Sequence, residues 1–338
     1  MSLRVFNLRA TVLLCVVSSV LAAAQGQSAP SPAPKQPNQT ASANPQSPGN
    51  KATAGDDIPA GGTIRTVVEE VSVVFTVTDK HGKFVKDLKQ AEFRILDNNL
   101  PPREVKSFES ETNLPLRVGL LIDASNSIRD RFLFEQQAAT EFMQQTIRPQ
   151  TDKAFVLAFD EVPTVEQDFT NDLERLAHGI KGIRPGGGTA MWDAVYYACR
   201  DKLMKERATG TVRLAIVLVS DGDDNQSRVL RQEAIEMAQR AGVIVYTIST
   251  NLSNILDSGD RNLKMLAEAT GGRAFFPFKL QNLAEDFNEI QAELRSQYSV
   301  SYKPDQLVMN GQFRSIQIIP ENKKLSVRAR KGYYVPKQ

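Results

Sequence analysis

Four near-continuous apolar runs in the middle of the chain constrain its fold more than any other feature. They lie at residues 118–122, 155–159, 214–219 and 243–248. Short runs without polar alternation are typical of parallel strands that are covered on both faces. Since helical segments separate them, the sequence predicts an α/β fold with a doubly wound, mostly parallel sheet.

The segments between these runs show helical periodicity. Phe134, Ala138 and Phe142 recur at four-residue spacing in the first segment, which ends before Pro149. Further helices are predicted at 189–205, 230–240, 263–269 and 283–294. Strands that alternate with helices in this way place ligand sites beyond the carboxyl ends of the strands.

The two flanks of this central part have a different period. Val67, Val71, Val73, Phe75 and Val77 lie at odd-numbered positions with largely polar residues between them, which indicates a half-buried strand. Similar patterns occur at 93–96, 298–302, 315–319 and 325–335. Because the ends of a domain often lie close together, we predict that a central domain at 114–297 is flanked by segments 63–113 and 298–338, which pair into one β module.

The first 24 residues have the pattern of a secretory signal. Arg4 and Arg9 precede a short apolar run at 10–21, and three alanines ending at Ala24 provide a cleavage site. This run and all later apolar stretches are too short to span a bilayer. Residues 25–62 hold seven of the chain's 17 prolines and predict a disordered linker. We therefore expect an exported protein, periplasmic or at the cell surface, without a membrane span after signal removal.

Composition excludes a nucleic-acid partner and one kind of metal site. The 41 basic and 39 acidic residues nearly balance, and no basic patch with interleaved aromatics suggests a nucleic-acid ligand. With two cysteines and two histidines, a Cys/His zinc site is excluded as well. Cys15 leaves with the predicted signal, which leaves Cys199 without a disulfide partner in the same chain.

Polar oxygens cluster where the predicted strands end. Asp123, Ser125 and Ser127 follow the first central strand at two-residue spacing, Thr189 follows three glycines, and Asp221 ends the third strand. Hydroxyl and carboxylate oxygens are the ligands of hard cations such as Mg²⁺. Each feature alone has a simpler explanation, for example a serine as a helix N-cap. The prediction of a metal site therefore depends on their combination.

The combination resembles the metal-ion-dependent adhesion site of von Willebrand factor A-type domains, which have a Rossmann-like sheet. That pattern is Asp-x-Ser-x-Ser, then a Thr and an Asp on two further loops, and the chain matches it at all positions over about 116–294. The resemblance implies a bound Mg²⁺, with Mn²⁺ or Ca²⁺ as alternatives. It implies Ser125, Ser127 and sometimes Thr189 as direct ligands, whereas Asp123 and Asp221 often act through water. The family's usual partner is a protein that supplies an Asp or Glu carboxylate.

The exported layout is similar to a narrower group, the VWFA-related family described from Acidobacteria. Its strand-rich flanks and its basic, aromatic tail at 327–334 carry that likeness. The resemblance implies an adhesion or protein-binding module. The alternative is a structural or assembly component of the cell envelope, in which the metal only stabilises the fold.

Other chemistries fit the sequence less well. An EF-hand loop that begins at Asp221 would need Gly at 226 and Glu at 232, but both positions hold Gln. A Ser-His-Asp hydrolase would need His81 or His178 as its base, and these lie in a predicted turn and a polar helical stretch. We therefore predict that the protein is not an enzyme.

Four further residues near the predicted site are assigned simpler roles. Trp192 and Cys199 are predicted to pack in the core, whereas Asp223 and Asp224 are predicted to be solvated loop carboxylates.

Overall fold

The apolar runs form the strands of a central sheet in the computed structural model, which describes residues 70–110, 114–126, 132–207, 212–251, 255–277, 279 and 282–335. The predicted signal peptide, the predicted linker and Ser127 lie outside these residues. All described residues belong to one compact unit, Arg65–Gln338. Within the part of the chain described, no helix is both long enough and apolar enough to cross a membrane.

The strands, in chain order, are β1 (Val71–Thr78), β2 (Phe93–Asp97), β3 (Glu104–Ser110), β4 (Leu116–Asp123), β5 (Lys153–Phe159), β6 (Pro163–Thr170), β7 (Arg213–Ser220), β8 (Ile244–Ser249), β9 (Ala274–Phe275), β10 (Gln297–Lys303), β11 (Phe313–Pro320), β12 (Ser326–Ala329) and β13 (Gly332–Tyr334). The helices are α1 (Phe132–Thr146), α2 (Leu173–Gly182), α3 (Met191–Tyr197), α4 (Met204–Arg207), α5 (Arg231–Ala241), α6 (Ser258–Thr270) and α7 (Asn282–Leu294). A π-helical segment, Ala198–Leu203, joins α3 to α4.

The central sheet has the strand order β6-β5-β4-β7-β8-β9. All neighbours are parallel except β6, which is antiparallel to β5. Every residue of β7 is buried, as expected for a strand with helices on both faces. The predicted α/β class is therefore confirmed, and β6 is an edge strand that sequence analysis did not predict.

Helices cover both faces of this sheet. Side chains of α1, α2 and α7 form one core with the sheet, and those of α3, α5 and α6 form the other. On the first face Phe142 stacks on Phe287, with ring centroids 4.8 Å apart. On the second face Trp192 and Cys199 are buried, which confirms their predicted packing roles.

The flanks pair with each other, as predicted, in two antiparallel sheets of order β12-β1-β10-β3 and β13-β11-β2. Strand β1, from the N-terminal flank, pairs with β10 and β12 from the C-terminal flank, and β2 pairs with β11. An aromatic cluster fills the space between them, with Phe75 and Tyr298 stacked at 5.4 Å and Phe93 edge-on to Phe75. We call this pair of sheets the β module.

Asp97 joins strands of the β module. This carboxylate is fully buried, and it accepts hydrogen bonds from the hydroxyls of Tyr302 and Tyr333, each 2.9 Å away. Arg314 forms an ion pair with it at 2.6 Å. A buried charge is tolerated when it is paired and hydrogen-bonded in this way.

A second buried carboxylate, Glu293 near the end of α7, joins the central sheet to the β module. It accepts hydrogen bonds from Tyr246 of β8 at 2.9 Å and from Thr76 of β1 at 3.2 Å. It also forms an ion pair with Arg328 of β12. One carboxylate thus contacts side chains from both parts of the fold.

Candidate metal site at the carboxyl edge of the central sheet

Asp123 is the most deeply buried of the predicted site residues that the structure describes. It ends β4 and is completely buried. Its Oδ1 accepts a hydrogen bond from the Ser125 backbone N–H at 2.9 Å, and its Oδ2 accepts one from the Ser220 hydroxyl at 2.6 Å. Sequence analysis missed Ser220, although this hydroxyl directly precedes Asp221 at a strand end.

Burial raises the pKa of Asp123 to about 6, and the hydrogen bonds from Ser220 and Ser125 oppose this effect. The nearby Asp221 carboxylate raises the pKa further. Within the described residues, Asp123 forms no ion pair with a basic side chain. The ionised carboxylate is therefore disfavoured in the metal-free fold, and a cation at this position would stabilise it.

Ser125 and Thr189 are also recessed, with exposed fractions of 4% and 5%. Ser127 lies outside the described residues, so its role as a ligand stays a prediction. Asp221 follows β7 and is partly exposed. The structure thus places Asp123, Ser125, Thr189 and Asp221 on three loops at the same edge of the sheet.

Backbone hydrogen bonds hold two of these loops together. The Gly186 N–H donates to the Ala124 carbonyl at 2.6 Å, and the Asn126 side chain donates to the Gly187 carbonyl at 3.2 Å. Gly187 has a φ of +67°, a conformation that favours glycine. The glycines therefore let the loop before Thr189 approach the end of β4.

The loop after β7 is joined to Thr189 in the same way. The Thr189 carbonyl accepts hydrogen bonds from the N–H groups of Asn225 and Gln226, both at 3.0 Å. The Thr189 N–H donates to Asn225 Oδ1 at 3.0 Å. A Cβ on Gly188 would lie 2.6 Å from Cγ of Gln226, so a larger residue there would displace this side chain. These bonds involve the N–H and carbonyl of Thr189 and not its hydroxyl. They can therefore hold the loop in place when the side chain is changed.

The two remaining carboxylates of this loop differ from each other. Asp223 is exposed, as predicted. The prediction for Asp224 was wrong: it is partly buried and accepts hydrogen bonds from the Trp192 N–H at 3.1 Å and from the Ser227 hydroxyl at 2.6 Å. Asp224 satisfies an N–H at the start of α3 that has no partner within the helix.

The donor set fits a hard cation better than a soft one. Among the described residues no group of three or more His, Cys, Asp or Glu could hold a metal. A metal at this edge would therefore depend on hydroxyl oxygens in addition to the carboxylates of Asp123 and Asp221. Oxygen-only donors of this kind suit Mg²⁺, Mn²⁺ and Ca²⁺.

The family model of the von Willebrand factor type A domain matches residues 118–293. This match lies within the central domain predicted at 114–297. A search of curated proteins found no match.

Solved structures with a similar fold come from several sources. The proximal thread matrix protein 1 from the mussel byssus, "with zinc occupied MIDAS motif", is 14% identical at a TM-score of 0.48, over 60% of this chain and 50% of that one. The von Willebrand factor type A protein from Catenulispora acidiphila is 13% identical at a TM-score of 0.48, over 80% and 74%. The PilB minor pilin from Streptococcus sanguinis is 14% identical at a TM-score of 0.43, over 56% and 63%. The chain thus spans about half the length of the mussel protein.

Proposed function

Because the chain belongs to the von Willebrand factor type A domain family, we propose that it is an exported, metal-dependent binding protein. It captures a carboxylate of a protein or peptide partner through a divalent cation at the carboxyl edge of the central sheet. The observation that carries this proposal is the buried Asp123, which has no basic ion-pair partner among the described residues and lies near Asp221. We propose no catalytic activity.

Ser125, Ser127 and Thr189 would hold the cation directly, and Asp123 and Asp221 would act through water. Mg²⁺ is the proposed ion, with Mn²⁺ and Ca²⁺ as alternatives. When bound, the cation supplies a positive charge that accepts an anionic oxygen from outside. The residues that would hold it lie on loops that are hydrogen-bonded to one another, which would keep their oxygens in place.

Exposed apolar side chains at the same edge favour a protein or peptide as the partner. Leu133 at the start of α1, Leu230 before α5 and Ile255 in the loop before α6 are 82%, 67% and 77% exposed. Each belongs to a segment that follows a parallel strand, so all lie towards its carboxyl end. Apolar residues of a partner would contact these three side chains while the partner's carboxylate binds the cation.

The signal-peptide pattern supports a location in the periplasm or at the cell surface, and the narrower resemblance to the Acidobacterial family stays a prediction. One observation favours the alternative structural role: Ser125 and Thr189 are recessed, and their loops stabilise one another. A metal confined to that role would stabilise the fold without affecting partner binding. The two experiments that follow separate these functions.

Metal binding is expected to depend on Asp221 and not on its exposed neighbour. At about 100 times the dissociation constant, Mg²⁺ or Mn²⁺ adds about 2.7 kcal/mol to the free energy of unfolding, which raises the melting temperature by several degrees. Asp221→Asn should remove this shift. Asp223→Asn removes the same charge two residues away and should retain it. Equal shifts in both variants and the wild type would rule out Asp221 as a ligand.

Partner binding is expected to depend on Thr189 more than the fold does. Peptides selected from a displayed random library in Mg²⁺ should be enriched in Asp or Glu, and chelator should release them. Thr189→Ala should lose most of this binding with little change in melting temperature, because the loop bonds use the Thr189 backbone. Thr164→Ala, at an exposed position of β6, is the control. Selected peptides that survive chelator, or that bind unchanged when each acid becomes an amide, would favour the structural role.

A further inference from the structure

A cavity of about 710 Å³ lies between the central sheet and the β module. Its walls come from the start of β7, the end of α5, β1 and β13. Because Arg213 begins β7 and Asp221 follows its last residue, the cavity and the candidate metal site lie at opposite ends of one strand, roughly 25 Å apart. Its volume is within the range of small-molecule sites, about 300–1,000 Å³.

The charges around this cavity are unbalanced. Four arginines line it, Arg207, Arg213, Arg240 and Arg330, against one acidic residue, Glu70. Arg240 has an ion-pair partner outside this lining, Glu236. Within the described residues, neither Arg207 nor Arg330 forms an ion pair. Two of the four guanidinium groups therefore have no carboxylate in direct contact among the described residues.

Arg330 is held in place at the cavity wall. Its guanidinium donates to the Gln239 carbonyl of α5 at 3.1 Å and to the Ser72 carbonyl of β1 at 2.8 Å. Burial lowers the pKa of Arg330 and the like charge of Arg207 lowers it further, whereas Tyr302, Tyr333 and the Asp97 carboxylate oppose the lowering. A bound anion would offset both effects, since an opposite charge nearby favours the charged form.

The rest of the lining is largely apolar. Val74 of β1, Ile244 of β8, and Leu307 and Met309 of the loop after β10 contribute side chains. We propose that the cavity binds an amphiphilic organic anion, whose carboxylate or phosphate head contacts Arg330 and Arg207 and whose apolar body lies along these side chains. This inference does not depend on the metal-mediated function.

The test is a calorimetric titration of the full-length purified protein with decanoate, in the presence of chelator, so that a metal at the opposite edge cannot take the carboxylate. We expect decanoate to bind at a single site. Decanol, of equal length but uncharged, and inorganic phosphate, which lacks an apolar body, should each bind about ten-fold or more weakly. Decyl phosphate should bind in the same site and compete with decanoate, and the tighter of the two identifies the preferred head group.

Arg330→Gln should weaken decanoate binding about ten-fold or more, since hydrogen bonds to charged groups are the stronger ones. Arg207→Gln, at an exposed position, should weaken it while leaving the fold intact, which keeps the test informative if Arg330→Gln does not fold. Arg175→Gln is the control, because it removes the same charge from an exposed position on α2. No heat of binding at millimolar decanoate, equal affinity for decanol, or wild-type affinity in the Arg207 variant would overturn the proposal.

Discussion

A chain truncated after Gln297 is expected to lose the protection of residues 70–110 against proteolysis. Strand β10 lies between β1 and β3, and β11 supplies the partner of β2. Removal of 298–338 therefore leaves each of the three N-terminal strands without its neighbours and exposes the aromatic cluster around Phe75. Single strands without a paired, packed face are not stable in water.

The truncation should also destabilise the central domain. Buried Glu293 would lose Arg328, its ion-pair partner from β12. Removing one partner of a buried pair costs on the order of 3 kcal/mol. Glu293→Gln should therefore restore part of the stability of the truncated chain, whereas the same substitution should destabilise the full-length protein.

Limited proteolysis read by mass spectrometry measures the first effect, and denaturant unfolding measures the second. A chain that lacks only residues 336–338 is the control and should behave as the wild type. Protection of 70–110 in the truncated chain equal to that in the full chain would mean that the two flanks fold independently.

The central sheet could be predicted because its signal is local. Strands β4, β5, β7 and β8 are buried on both faces, and each therefore appears as a near-continuous apolar run. The edge strand β6 has only one residue that is fully buried, so its sequence carries no comparable pattern. Helix α6 begins at Ser258, earlier than the segment 263–269 that its apolar residues predicted, because Asp257 caps its first turn.

The long-range contacts could not be predicted in the same way. We could predict that the flanks pair, because both show the two-residue period of strands and because they lie on either side of the central domain. The bonds of Asp97 with Tyr302 and Arg314 join residues more than 200 positions apart, and a single sequence contains no signal for such pairs. The same holds for the arginines of the cavity, which come from two helices, a strand and the turn between β12 and β13.

For the candidate site, spacing predicted the residues and geometry added their roles. The pattern around Asp123 follows from residue types at strand ends. The bonds of Ser220 to Asp123 and of Asp224 to α3 depend on how loops fold back on the sheet, which the pattern does not contain. The misassigned Asp224 shows that a carboxylate next to a candidate metal site can serve the protein's own backbone.

Asp123→Asn is expected to stabilise the metal-free protein and to abolish its response to metal. The ordinary pKa of this carboxyl is 3.8, and the fold raises it to about 6. Between these values Asp123 holds more of a proton in the folded protein than in the unfolded chain, so its contribution to stability without metal is greatest below pH 3.8 and is lost as pH rises through 6. At pH 7 the ionised group costs about 3 kcal/mol.

The amide can keep the hydrogen bonds of the carboxylate. Its oxygen can accept from the Ser125 N–H, and its amino group can donate to the Ser220 hydroxyl, which also accepts from the Gly222 N–H. In chelator at pH 7, Asp123→Asn should therefore unfold at a higher denaturant concentration than the wild type, and between pH 4 and 6 its stability should fall less than that of the wild type. In Mg²⁺ the order should reverse or the difference should shrink, because only the wild type gains binding energy.

Asp152→Asn is the matched control at a second buried aspartate. Burial raises the pKa of Asp152, but hydrogen bonds from the Leu116 and Arg148 N–H groups and the ion pair with Arg295 outweigh this and lower it overall. Its charge is stabilising, and the amide should destabilise the protein with and without metal. A purely structural Asp123 would behave as Asp152 does. Denaturant unfolding of both variants in chelator thus decides the question by the sign of the change: a loss of stability in Asp123→Asn would contradict a carboxylate that needs a cation.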